Sequence, residues 1–122
     1  MDTLKLFDAE LLAMQYIWEH EPLQAARMAD DFLELYGWKK STTYIVLKRL
    51  ESKGAILREK PKYQVRALVS REQVQHAETA NLLDKMFGGS FTSLFASFLS
   101  SDRVSDTTLA ELQALIEEKQ KK

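Results

Sequence analysis

Residues 39–54, KKSTTYIVLKRLESKG, predict a helix with two different faces. Side chains that suit a protein core recur at the i, i+3, i+4, i+7 spacing of a helix. They are Thr43, Val46, Leu47 and Leu50. The same spacing produces a second face of polar, aromatic and charged side chains. It consists of Ser41, Tyr44, Ile45 and Lys48. We expect this helix to begin near residues 39–41 and to end at Lys53, with Gly54 as a left-handed cap.

Two further helices are predicted before this segment. The first covers residues 8–20 with Asp8 as its cap, and the second covers residues 23–36 and ends at Gly37. Apolar residues at helical spacing define their expected inner faces. In the first helix these are Leu11, Met14, Ile17 and Trp18, and in the second Ala25, Met28, Ala29, Phe32 and Leu33.

Two short runs with β-strand character follow, over residues 55–60 and 63–69, and Pro61-Lys62 joins them. In the second run Tyr63, Val65, Ala67 and Val69 occupy alternate positions, which suits a half-buried strand. The order helix, helix, helix, hairpin with a basic third helix is the outline of a winged helix-turn-helix. We therefore predict a mainly α fold with a small β-hairpin wing over residues 1–70.

Residues 71–122 predict a separate helical domain. Its expected helices begin after Ser70, where Gln73 completes a capping box, after Ser90 and after Ser105. The segment is rich in large apolar side chains, which either fold back on the first domain or pack against a second copy of the chain. We favour the second copy and predict a homodimer. The candidate dimerisation residues are Leu83, Met86, Phe87, Phe91, Leu94, Phe95, Phe98, Leu112, Leu115 and Ile116.

Charge is unevenly distributed along the 122 residues. The chain has 17 Lys and Arg against 18 Asp and Glu, yet residues 37–71 contain ten cations and two anions. Such asymmetry indicates a local site for a polyanion, although a basic solvated surface would have the same composition.

Several function classes are excluded or disfavoured. The absence of cysteine excludes disulfides, thiolate metal sites and cysteine catalysis. No phosphate loop, metal-ligand cluster or catalytic triad is visible, so we expect neither an enzyme nor a cofactor or metal. His20 and His76 are expected on the surface. No signal peptide or membrane-spanning run is apparent, which favours a cytoplasmic protein.

The second face of the third helix and the hairpin tip are the candidate DNA-binding site. Its residues are Lys39, Lys40, Ser41, Thr42, Tyr44, Ile45, Lys48, Arg49, Lys60 and Lys62. Hydroxyl groups bond phosphates or base edges, Ile45 suits a thymine methyl group, and Lys48 suits guanine acceptors. Two alternatives stay open. Tyr44 and Ile45 could pack on the second helix, and Arg49 could form a structural ion pair. Arg58 and Arg66 could likewise pair with Glu51 or Glu59.

Three groups of short motifs occur in order along nearly the whole chain. They are Asp8-Ala9-Glu10 leading to Met14 and Ile17-Trp18; Thr42-Thr43-Tyr44 leading to Leu47-Lys48-Arg49-Leu50 and Lys53-Gly54; and Phe87-Gly88-Gly89-Ser90 before the Phe/Leu-rich helix. This ordered set resembles the BlaI/MecI/CopY family of bacterial repressors, the penicillinase-repressor type. The resemblance implies a winged-helix DNA-binding domain, a helical dimerisation domain and repression by occupying a palindromic operator in double-stranded DNA.

The resemblance also bears on the inducing signal. Family members that respond to β-lactams are inactivated by an inducer-activated protease, so the resemblance implies the same release here. The candidate cleavage site is the Ser97-Phe98 bond. Release by a ligand is the alternative. The copper-responsive branch carries a cysteine motif that this chain lacks.

Two features of the proposed recognition helix depart from the family pattern. Lys39-Lys40 replace a usual Ser-Pro pair, so Lys39 or Ser41 is the N-cap, and Ile45 replaces a small hydroxyl residue. In the hairpin, Val65 stands where the family favours an aromatic residue. We predict a homodimeric transcriptional repressor, with a winged-helix protein-interaction module that does not bind DNA as the alternative.

Overall fold

The computed structural model describes residues 4–122, which form six α-helices and three β-strands. In chain order they are α1 (Asp8–His20), β1 (Leu23–Gln24), α2 (Ala25–Tyr36), α3 (Lys40–Ser52), β2 (Ile56–Glu59), β3 (Gln64–Ala67), α4 (Arg71–Met86), α5 (Phe91–Leu99) and α6 (Asp106–Gln120). The predicted mainly helical fold with a β wing is confirmed. The chain divides into two compact units between Asn81 and Leu82, inside α4. The functional boundary after residue 70 stays a prediction.

The sheet contains a strand that the sequence pattern did not predict. Its order is β1-β3-β2, with both pairings antiparallel, and Leu23 stands opposite Val65. The prediction that α2 begins at Leu23 is therefore wrong by two residues. Residues 23 and 24 add an edge to β3, and Leu23 becomes buried. The backbone N–H of Ala25 then donates to the carbonyl of Tyr63 at 3.1 Å, which joins the start of α2 to the hairpin.

The core of the first unit is formed by the inner faces of α1, α2 and α3 together with one face of the sheet. Its largest fully buried apolar side chains are Met14, Ile17, Met28, Phe32, Leu47, Leu50, Ile56, Val65 and, from α4, Val74. Leu11 and Trp18 are only partly buried, and the expectation that Leu33 belongs to this core is wrong, since 46% of its surface is exposed. All four predicted inner residues of α3 are buried.

The prediction that Asp8 caps α1 is wrong, because Asp8 lies in the first turn of the helix. Phe7 is the N-cap residue, and its backbone N–H donates to the carboxylate of Glu10 at 2.8 Å. The Glu10 carboxylate thus satisfies the backbone N–H of the cap residue, and no side chain of the cap bonds to the first turn.

Glu10 also joins the start of α1 to the end of α3. Its carboxylate lies 2.6 Å from the Lys53 ammonium, and Glu10 is 1% exposed. Lys53 donates a second hydrogen bond to the carbonyl of Lys5 at 2.8 Å, and its ammonium stands 4.6 Å from the centroid of the Phe7 ring. Removing Lys53 would leave the Glu10 carboxylate buried without its charged partner, which is destabilising. Lys53 is therefore part of the folded scaffold.

A second polar contact joins α1 to α2. The Tyr16 hydroxyl donates a hydrogen bond to the Asp31 carboxylate. Burial of the phenol, followed by this hydrogen bond, raises the pKa of Tyr16 to about 12. The Tyr16 ring meets Phe32 edge to face with centroids 5.2 Å apart, so the contact combines packing with a partly buried hydrogen bond.

The predicted helix ends are largely confirmed. Gly37 and Gly54 adopt positive φ angles of 70° and 77° after α2 and α3, which glycine accepts without strain. Before α4, Ser70 and Gln73 exchange side-chain to backbone hydrogen bonds of 3.0 and 2.7 Å. Ser90 and Ser105 cap α5 and α6.

The two faces of α3 predict opposite responses to truncation of apolar side chains. Leu47→Ala should lower the free energy of unfolding by roughly 2–5 kcal/mol, because it opens a cavity at a fully buried site. Ile45→Ala is the matched control. It removes an exposed side chain and should change the free energy by no more than about 0.5 kcal/mol. Urea unfolding of both variants measures the difference, and equal losses would contradict this assignment of faces.

Candidate nucleic-acid interface

The outer face of α3 presents the predicted contact residues to solvent. Ser41, Thr42, Lys48 and Arg49 are exposed. Tyr44 and Ile45 are 38% and 52% exposed, so they do not bury themselves against α2. Thr43, Val46, Leu47 and Leu50 hold the opposite face in the core. The helix thus offers hydroxyl, aromatic, aliphatic and cationic groups from one rigid surface.

The start of α3 combines backbone donors with two lysines. Lys39 is the N-cap residue and makes no side-chain capping hydrogen bond. Lys40 is the first helical residue, and its ammonium lies 2.9 Å from the carboxylate of Asp30 on α2. The hydrogen bond to Asp30, together with the charge of Asp30, raises the pKa of Lys40. The helix N-terminus and Lys39 therefore supply positive potential at this end of α3, while the Asp30 carboxylate offsets the charge of Lys40.

The wing, defined as β2, β3 and the turn between them, carries two kinds of cation. Lys60 and Lys62 are exposed in the turn. Arg58 instead pairs with Glu51 at 3.0 Å, and Arg66 pairs with Glu59 at 3.3 Å. The sequence left open which carboxylate each arginine would pair with. The structure pairs Arg58 with Glu51 and Arg66 with Glu59, all within the first unit.

Backbone hydrogen bonds hold the wing close to α3. The N–H of Ala55 donates to the carbonyl of Leu50 at 2.9 Å, and the N–H of Leu68 donates to the carbonyl of Ala55 at 2.8 Å. Only Lys53, Gly54 and Ala55 separate the end of α3 from the start of β2. The base of the wing is consequently joined to the end of α3 by short backbone contacts.

The ten cations of residues 37–71 are divided by their surroundings. Four of them pair with carboxylates; they are Lys40, Lys53, Arg58 and Arg66. Within residues 4–122 no ion pair is formed by Arg49, for which a structural pair was the alternative, nor by Lys39, Lys48, Lys60 or Lys62. These five predicted site residues are exposed. The tenth cation, Arg71, lies over the Trp18 ring, 5.3 Å from its centroid.

The second unit contains an apolar cleft between α5 and α6. The cleft has a volume of about 850 Å³ and is lined mainly by Phe91, Phe95, Leu99, Leu109, Leu112, Leu115 and Ile116. Five of these were predicted dimerisation residues. Of the other predicted ones, Met86 and Phe98 are exposed, Phe87 and Leu94 are half-buried, and Leu83 is buried within the single chain.

The sequence profile of the family described as "Penicillinase repressor" matches residues 6–118. The chain belongs to the penicillinase repressor family. This confirms the resemblance that the motifs indicated. The family consists of transcriptional repressors, which are not enzymes.

Relatives within the penicillinase repressor family match along almost their full length. The methicillin resistance regulatory protein MecI of Staphylococcus aureus (strain N315) is 25% identical over 119 residues, which cover 96% of this chain and 97% of that protein. The penicillinase repressor of Bacillus licheniformis is 25% identical over 119 residues, covering 93% and 91% respectively.

A solved structure resembles part of the fold. The solution structure of the DNA binding domain of the repressor BlaI matches with a TM-score of 0.53 and 23% sequence identity. The match covers 59% of this chain and 90% of that domain. The likeness confirms the winged-helix fold.

Two further features concern the described residues as a whole. No helix in residues 4–122 is long and apolar enough to cross a membrane. The same residues contain no group of three or more His, Asp or Glu side chains placed to hold a metal ion. His20 and His76 are exposed, as predicted.

Sequence reasoning missed two acidic residues that determine which cations are available. Glu10 holds Lys53 inside the scaffold, and Asp30 holds Lys40 at the start of α3. Glu10 and Lys53 are 43 residues apart in sequence, so no local pattern indicated their contact. Asp30 and Lys40 lie on either side of the turn between α2 and α3, so the packing of these two helices determines their contact.

Proposed function

We propose that this member of the penicillinase repressor family is a homodimeric repressor that binds double-stranded DNA at a palindromic operator. The observation that carries the proposal is the division of α3, whose inner face is buried while its outer face is exposed and cationic. A helix that is fixed in this way can enter the major groove as a rigid element. The names of the relatives and the DNA-binding fold of the BlaI domain support the same function.

The proposed contacts follow from the chemistry of the exposed groups. Ser41 and Thr42 bond phosphates or base edges, Lys48 reaches guanine acceptors, and Ile45 packs on a thymine methyl group. Tyr44 and Arg49 lie on the same exposed surface. Lys39 and Lys40 meet a phosphate at the positive end of α3. Lys60 and Lys62 meet the DNA backbone or the minor groove from the turn of the wing.

We further propose that the cleft between α5 and α6 packs against the same helices of a second copy. The cleft leaves several large side chains half exposed, among them Phe91 at 58% and Ile116 at 57%. Contiguous apolar surface of this kind is uncommon on soluble monomers, and symmetric pairing is the commonest way in which proteins cover it. Linking two DNA-binding units raises affinity because the second half-site is then bound at high effective concentration.

Release of the operator is proposed to follow cleavage in α5 by an inducer-activated protease. Ser97 and Phe98 are both exposed. A cut between them separates α6 and its share of the cleft from the rest of the chain. The remaining fragment then loses the gain in affinity that comes from linking two units. Release by a ligand is the alternative.

The first prediction concerns DNA binding. Lys48→Ala should weaken binding to an operator duplex by about tenfold, because a bidentate base contact is typically worth about 1–3 kcal/mol, while thermal unfolding stays unchanged. Wild-type affinity should fall by orders of magnitude between about 50 and 200 mM salt. Fluorescence anisotropy measures both. Binding to protein partners with no affinity for DNA in dilute salt would support the interaction-module alternative instead.

The second prediction concerns assembly. Leu115→Glu places a charge at the cleft and should convert a dimer into a monomer, since the carboxylate would be buried without a partner. Ala114→Glu introduces the same side chain at an exposed neighbouring position outside the cleft and should leave the dimer intact. Sedimentation equilibrium distinguishes the two masses. A wild-type monomer at all concentrations tested would refute the proposal.

The third prediction concerns release. After cells are exposed to a β-lactam, intact-mass spectrometry should detect a fragment that ends at Ser97. The uncleaved chain should predominate in untreated cells. Loss of repression with the chain still intact would exclude cleavage and favour a ligand as the releasing signal.

A further inference from the structure

Asp30 and Lys40 form an ion pair on the surface that is proposed to meet DNA. The carboxylate of Asp30, on α2, lies 2.9 Å from the ammonium of Lys40, the first residue of α3. Their side chains are 64% and 58% exposed. An ion pair in water is weak, because solvent screens it and both side chains lose freedom when they are held together. The pair can therefore open when another anion competes for the lysine.

The neighbouring residue on α2 has a different role. Asp31 accepts the hydrogen bond of the buried Tyr16 hydroxyl, so its carboxylate is part of the contact between α1 and α2. Asp30 is exposed and points its charge at the start of α3. The two adjacent carboxylates thus separate into one that supports the fold and one that acts at the surface.

A phosphate that approaches the start of α3 meets two opposing effects. The helix N-terminus, Lys39 and Lys40 attract it. The Asp30 carboxylate repels it and already occupies the Lys40 ammonium. Lys40 can bind the phosphate only by exchanging one anion for another, which leaves the charge of Asp30 close to the DNA.

We propose that Asp30 limits the affinity for DNA by competing with the phosphate backbone for Lys40. This inference rests on the proposed DNA-binding function and adds a residue that opposes it. Because phosphates are common to all duplexes, the competition acts on binding to any sequence. Asp30 thereby lowers the affinity for duplexes that are bound only through their phosphate backbone.

A random-sequence duplex tests the inference without knowledge of the operator. Asp30→Asn keeps the size of the side chain and removes its charge. The variant should bind up to about fivefold more tightly than wild type, as expected for releasing Lys40 from an exposed ion pair. The plot of log affinity against log salt should become steeper by about one, because Lys40 then contributes a full phosphate contact. In the background of Lys40→Ala, most of the gain from Asp30→Asn should disappear.

Glu19→Gln is the control for net charge, since it neutralises an exposed carboxylate on α1. It should raise affinity less than Asp30→Asn and leave the salt slope unchanged. Thermal unfolding of each variant checks that the fold is retained.

A wild-type chain that binds no duplex in dilute salt refutes the proposed function. A wild-type chain that binds while Asp30→Asn binds equally or more weakly overturns the role of Asp30 alone. Equal gains from Glu19→Gln and Asp30→Asn would also overturn it.

Discussion

The burial of one face of α3 fixes the direction of its other face. Thr43, Val46, Leu47 and Leu50 are enclosed by α1, α2 and the sheet, so the helix cannot rotate without exposing apolar surface. The Glu10–Lys53 pair adds a polar connection at the end of the same helix. The direction in which the exposed residues Ser41, Tyr44, Ile45 and Lys48 point therefore depends on this packing.

Local patterns in the sequence were sufficient for most of the helices and their ends. Periodicity separated the two faces of α3 correctly, and Gly37, Gly54, Ser70, Ser90 and Ser105 marked helix boundaries. These signals come from residues within one or two turns of each other. The errors have a different origin. Leu23 joined a strand because β3 lay beside it, and Leu33 stayed exposed although it fitted the helical spacing of its neighbours.

The exposure of the candidate site residues was predictable from the sequence, but the ion pairs that neutralise some of the neighbouring cations were not. Counting cations identified the basic segment, yet contacts between distant residues decide which of those cations are neutralised. Lys53 is committed to Glu10, and two arginines of the wing are held by Glu51 and Glu59. Composition therefore overstates the positive potential that an approaching polyanion meets. The apolar cleft also depends on contacts between distant residues. Its lining comes from two helices, and no spacing within one helix reveals how they pair.

The short connection between α3 and the wing has a mechanical consequence. The backbone N–H of Ala55 donates to Leu50 in α3 and its carbonyl accepts from Leu68, just after β3, so the base of the hairpin is tied to the end of α3. A protein with this geometry does not stretch to suit a duplex of different groove width. The duplex must supply the adjustment, and the elastic energy of that adjustment depends on its base steps. Recognition by such a unit would respond to the stiffness of base pairs that no side chain touches.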